Sequence, residues 1–94
     1  MRRAYILSFD PHKTDSLALH KAIKAIPQII NWWHYLGSTY IIISEAPLTE
    51  IHHEIMSRWP RQRYFLVKIS LNESNGWLPE DAWVWIRKYR AQVD

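Results

Sequence analysis

Asp10 closes the apolar stretch Arg3-Ala-Tyr-Ile-Leu-Ser-Phe9 and is the strongest candidate for chemistry in the chain. An aspartate ending a strand, with Ser8 and His12 beside it, can hold a divalent cation through hard oxygen ligands. Magnesium, which keeps most of its waters, is the cofactor such a site implies. Asp10 would then be metal ligand and catalytic residue at once, acting with its symmetry mate in a dimer. The plainer reading is a turn residue, because aspartate before Pro11 commonly starts a turn. His52-His53-Glu54 has ligand-type side chains, but adjacent helical residues diverge by about 100° and no second histidine completes the helical zinc spacing. Glu50, His53 and Glu54 read instead as a solvated helix face. His34, placed among tryptophans, reads as an interface histidine.

A second chemistry lies in the basic residues. Arg58, Arg61, Arg63 and Lys68 follow one another with no acid between them, and Trp59 and Tyr64 are interleaved. Cations hold phosphates and aromatic rings stack on bases, so this pattern fits a nucleic-acid surface. Arg2 and Arg3 join it if the first and last strands are neighbours. The alternative is an ordinary solvated loop rich in arginine. The RNA-recognition-motif signature needs a glycine that Arg63-Tyr64-Phe65 lacks. With two glycines and no cysteine, the chain has no glycine-rich phosphate loop, no nucleotide fingerprint, no thiolate nucleophile and no Cys-ligated zinc.

The elements that must position these residues follow from patterning. Ninety-four residues with 48% hydrophobic and 22% charged side chains make one α+β domain spanning 1–94. Arg3–Phe9 predicts a strand with Tyr5, Leu7 and Phe9 on one face, stopped by Asp10-Pro11. Thr14-Asp15-Ser16 starts a helix to about Ile26, with Leu19, Ile23 and Ile26 as its buried stripe. Ile30–Tyr35 and Thr39–Ser44 predict a central hairpin, and Gly37 can take the positive φ of a tight connection at no steric cost. A second helix covers about Leu48 to Trp59 through Leu48, Ile51, Ile55 and Trp59. Tyr64–Ser70 is the last strand, and Asn72–Gly76 a polar turn. Pro79 opens a third helix, within about 77–90, whose first turn is acidic and last turn basic. The order βαββαβ plus a helix is the ferredoxin-like plan with an antiparallel sheet.

Six tryptophans are many for this length. Each buries roughly 150–250 Å², so one thin core can hardly hide them all. A second buried surface is required, and a homodimer interface is the economical one, with Trp32, Trp33, His34, Trp83 and Trp85 as candidates. Trp77, Trp83 and Trp85 anchor the third helix, as core or as dimer seam, or form a partner-binding hot spot. The net charge of +3 permits an anionic partner. No apolar run is long enough for a transmembrane helix, and no secretory signal is legible at the start. The expected setting is a bacterial or phage-like cytoplasm.

Two stretches resemble known families. Tyr5-Ile-Leu-Ser-Phe-Asp10 resembles the opening of the small CRISPR-adaptation endonuclease family and its ferredoxin-like relatives, including GhoS-type antitoxins. Trp33-His-Tyr-Leu-Gly-Ser-Thr-Tyr-Ile-Ile42 and Asn75-Gly-Trp-Leu-Pro-Glu-Asp-Ala-Trp-Val-Trp-Ile86 resemble the small proteins of the SinR family, a likeness that spans nearly the whole chain. These resemblances imply a homodimer whose sheet faces or edges meet, and association with nucleic acid or with a toxin or defence system. In the CRISPR-adaptation family the aspartate ending the first strand of each subunit sits beside a divalent metal, and only Asp10 carries that role over. The leading expectation is a homodimeric nucleic-acid- or nucleotide-associated protein of a defence or toxin–antitoxin system. Its rivals are a module gripping a partner protein, as an antitoxin or inhibitor does, and a metal-dependent endonuclease using Asp10.

Overall fold

A computed structural model describes residues 1–93. Its elements run β1 (Arg3–Phe9), α1 (Ser16–Ala25), β2 (Ile29–Leu36), β3 (Thr39–Ser44), α2 (Leu48–Arg58), β4 (Tyr64–Ile69) and α3 (Glu80–Arg90). All four strands form one antiparallel sheet in the order β2-β3-β1-β4. The result is an α+β domain with three helices, compatible with the ferredoxin-like plan.

The sheet has two packed faces, because its strands alternate apolar residues to both sides. On one face Tyr5, Leu7 and Phe9 of β1 and Tyr40 and Ile42 of β3 pack against Leu19 and Ile23 of α1 and Ile51 and Ile55 of α2. On the other, Ala4, Trp33, Ile41 and Ile43 meet Ala82, Ile86 and Tyr89 of α3. The second buried surface demanded by the tryptophan count therefore exists within one protomer.

That second face falls into three rows across the strands. Asn31–Ile43–Ala4–Ile69 lies at one end, Trp33–Ile41–Ile6–Val67 in the middle, and Leu36–Thr39–Ser8–Phe65 at the other end. α3 seals the first row and the Trp33–Ile41 half of the second. Ile6 and Val67 are half-buried, and Leu36 and Phe65 are exposed.

Local chemistry sets the ends of the elements. The Asp15 carboxylate accepts from the Ala18 N–H at 3.0 Å and caps α1. The Trp59 indole donates to the Asp15 carbonyl at 2.9 Å, tying the end of α2 to the start of α1. Buried Ser44 is fully satisfied: its hydroxyl donates to the Gln28 carbonyl at 2.7 Å and accepts from the Ala46 N–H at 3.0 Å. α3 is sewn to β2 by Trp33 Nε1 donating to the Ala82 carbonyl at 3.3 Å and Asn31 Nδ2 donating to the Tyr89 hydroxyl at 2.8 Å.

At two positions the structure narrows what the residue type leaves open. Gly37 has no positive φ, and an added Cβ there would meet nothing within 4 Å. The Gly37-Ser38 turn is instead held from outside, by the Phe9 N–H donating to the Ser38 carbonyl at 3.0 Å. Trp77 is no core anchor of α3 within the protomer, being fully exposed at 101% while its neighbour Leu78 packs inward.

Candidate nucleic-acid interface

The α2–β4 connection carries the densest chemistry. Pro60 ends the helical region, and Arg61 then takes the left-handed conformation, with φ of 62°, alone among the described non-glycine residues. A side chain in that region costs about 1–2 kcal/mol. Such strain persists only where surrounding structure enforces it, and it gathers at functional sites.

Arg61, Gln62 and Arg63 form a wall shared by two concavities. On one side is a polar cleft of about 420 Å³, completed by Asp10, Lys13 and Thr14 from the β1–α1 turn. On the other is a mainly apolar groove of about 510 Å³ in which Leu48, His52 and Met56 of α2 face Tyr64 and Leu66 of β4. The antiparallel register brings these parts together, because Phe9 at the end of β1 pairs with Tyr64 at the start of β4.

In the groove, the Tyr64 hydroxyl is hydrogen-bonded with His52 Nδ1 at 2.7 Å, and burial raises the Tyr64 pKa above its ordinary value. The phenol is thus held neutral and in place, with its ring 5.9 Å from that of Trp59. In the cleft, Lys13, Arg61 and Arg63 form no ion pair among the described residues. Arg58 differs, since it is paired with Glu54 one helical turn back.

Asp10 sits at the cleft, exposed, and its Oδ1 accepts from the His12 N–H at 2.9 Å. The Asp10 carbonyl accepts from the Thr14 hydroxyl at 2.6 Å and from the Lys13 N–H at 3.2 Å. This is the aspartate-initiated turn expected before proline. The surroundings do not fit magnesium within one protomer: one carboxylate shares the cleft with three cations, and no three His, Asp or Glu side chains converge among the described residues.

The basic residues singled out in the sequence divide into two groups. Arg58, Arg61, Arg63 and Tyr64 lie at the end of the sheet near Phe9. Arg2, Arg3 and Lys68 lie at the opposite end, where Lys68 pairs with Tyr5 and Arg3 with Ser44. At 3.3 Å per residue, about 20 Å of β1 separates Arg3 from the Phe9 end, and about 13 Å of β4 separates Lys68 from Tyr64. Arg2 is engaged with Gln92, and Arg3 with the Glu45 carbonyl. Lys13, Thr14, Gln62 and His52 complete the site; the sequence pattern does not mark the first three, and it marks His52 only for a metal spacing that is incomplete. Only their position next to a strand end or on the helix facing β4 gives a signal, and it needs the register to be read.

The aromatic candidates lie elsewhere. Trp33 is buried at 3% exposure under α3. Trp32 is half-buried on the opposite face, edge-on to His20 at 5.0 Å. His34 stacks flat on Tyr40 at 4.0 Å, and its Nδ1 donates to the Thr39 carbonyl at 3.0 Å. The buried Tyr40 hydroxyl shares a 2.9 Å hydrogen bond with His20 Nδ1. Trp83 and Trp85 are half-buried on α3, and Trp85 leans on Tyr89 at 4.6 Å. No helix among the described residues is long and apolar enough to cross a membrane. Comparison with family models, curated proteins and solved structures yields no match.

Proposed function

We propose that this chain is a ferredoxin-like domain with an added third helix that binds single-stranded nucleic acid across the Arg61–Arg63 wall. The observation that carries the reading is the shared wall itself, with a cationic cleft on one side and a groove with a fixed aromatic ring on the other. Phosphate oxygens match Lys13, Arg61 and Arg63, and an unstacked base matches Tyr64 with Met56 and Leu48 beneath it. A duplex keeps its bases stacked and offers nothing to the groove, so single strands are the preferred class. The resemblance of Tyr5–Asp10 to the opening of the CRISPR-adaptation family is in keeping with the same reading.

The endonuclease reading has less support, because the cations beside Asp10 favour an anion over a divalent metal in the same space. The turn that Asp10 starts accounts for its carboxylate without a metal.

Fluorescence anisotropy with a labelled single-stranded oligonucleotide tests the proposal. Binding is expected to be tighter than to a duplex of equal length and to weaken as salt rises. Equal displacement by heparin and by unlabelled single strand, with no preference over duplex, would refute it.

A further inference from the structure

The α3 side of the sheet carries a second feature, away from the Asp10 cleft. Beside the helix lies a largely apolar groove of about 270 Å³, walled by Ile6, Ile41, Ile69, Trp83 and Leu78 and floored towards the exposed row of Leu36 and Thr39. Small-molecule sites usually span about 300–1,000 Å³, so this volume suits one aromatic side chain better than a whole ligand. The segment after β4 that rims the groove also bears Trp77, whose ring is fully in water.

An indole left in water beside an unfilled apolar groove is a pair of complementary features on one surface. Trp77 cannot fill its own groove from its present position, because the chain there turns Leu78 inward and the indole out. We infer that two copies of this chain associate about a two-fold axis over the open part of the α3-side face, each placing Trp77 in the groove of the other. A two-fold contact is self-complementary, so one chain supplies both the knob and the hole twice over.

Area and charge fit a second copy. At their exposed fractions, Trp77, Phe65, Leu36 and Tyr35 present roughly 500 Å² of side-chain surface, and the partly open Ile6 and Val67 bring this to about 600 Å², the low end of what a standard interface buries per partner. A patch of that size is at the upper end of what monomers leave open. The middle and outer strand rows of this face hold no charged residue, as the centre of an interface requires, and the charge that lines the groove, Glu73, is exposed on the segment after β4 beside the polar Ser74 and Asn75. The sequence candidates Trp33 and Trp83 then line the groove, while Trp85 leans on Tyr89 and Trp77 makes the contact.

Sedimentation equilibrium on the full chain at about 50 μM decides the matter. The expected mass is twice 11.3 kDa. Trp77→Glu removes no packing within the protomer, so it should leave the circular dichroism unchanged while raising the dimer dissociation constant about thirtyfold or more. Leu36→Asp should do the same from the exposed row, and the two together should give a folded monomer. A wild-type mass of 11.3 kDa would overturn the inference. So would a dimer that survives both substitutions, or a monomer whose groove takes up free indole or a tryptophan-containing peptide instead.

Discussion

Arg61 offers a substitution whose effects on stability and on binding should have opposite signs. Its φ of 62° lies where a Cβ crowds the following carbonyl, at a cost of about 1–2 kcal/mol, and glycine carries no such penalty. Glycine also makes the unfolded chain freer, which returns about 0.5–1 kcal/mol of the gain. Arg61→Gly should therefore stabilise the fold by about 0.5–1 kcal/mol, a rise of about 2–6 °C in Tm for a domain of this size. The same substitution removes one of three cations from the cleft. If each neutralises one phosphate, log affinity falls with log salt at a slope of about −2.1 in the wild type and about −1.4 in the variant. Between 50 and 200 mM salt the wild type should then lose about eighteenfold in affinity and the variant only about sevenfold. Differential scanning fluorimetry and anisotropy titrations over that range read the two quantities separately. A Tm that falls with the affinity would show Arg61 to be a structural residue, and an unchanged slope would show that it touches no phosphate.

Three further outcomes follow from the same geometry. Asp10→Asn keeps an oxygen for the His12 N–H and removes the cleft's negative charge, so oligonucleotide affinity should rise about two- to fivefold; a magnesium-dependent activity lost in that variant would reverse the reading. Trp33→Ala empties the space beneath α3 and removes its hydrogen bond to Ala82, so denaturant unfolding should show a loss of about 3–5 kcal/mol. Amide exchange in that variant should rise first in residues 80–90. Alkaline unfolding should reflect Tyr5, Tyr40 and Tyr64, which burial raises above their ordinary value, Arg3 partly opposing the shift at Tyr5. The folded state then holds protons that the unfolded state releases, so stability is full below about pH 10 and declines as pH climbs past it. Tyr40→Phe should shallow that decline in urea midpoints measured from about pH 8 to 11.

The elements are legible in the sequence because punctuation and periodicity agree along this chain. Asp10-Pro11, Pro27 and Pro60 fall just past the ends of β1, α1 and α2, and Leu19, Ile23, Ile51 and Ile55 lie on buried faces at helical spacing. The alternation in β2 likewise puts Trp32 and Trp33 on opposite faces. The departures share a cause, in that residue type alone does not fix them. Glycine permits a conformation at Gly37 that the turn, held by Phe9, does not use. Trp77 and Leu78 are adjacent apolar residues before a proline, and only the path of the segment after β4 decides which turns inward. Lys13 and Gln62 lie far apart in sequence, and they meet because β1 and β4 are antiparallel neighbours. Arg61's backbone conformation has no signature in its residue type.

The placement of α3 bears on how the chain matures. β1, β3 and β4 lie adjacent in the sheet, so every strand pairing is available once Ile69 has cleared the exit tunnel. The layer of α1 and α2 can close on its side of the sheet at that stage, while α3 is still ten or more residues behind. Until α3 docks, Trp33, Ile41 and Ile43 lie bare on the other side. A nascent or C-terminally trimmed chain would therefore be nearly native in its strands yet adhesive on one surface, and chaperone capture of such intermediates should fall off sharply once residue 90 has cleared the exit tunnel.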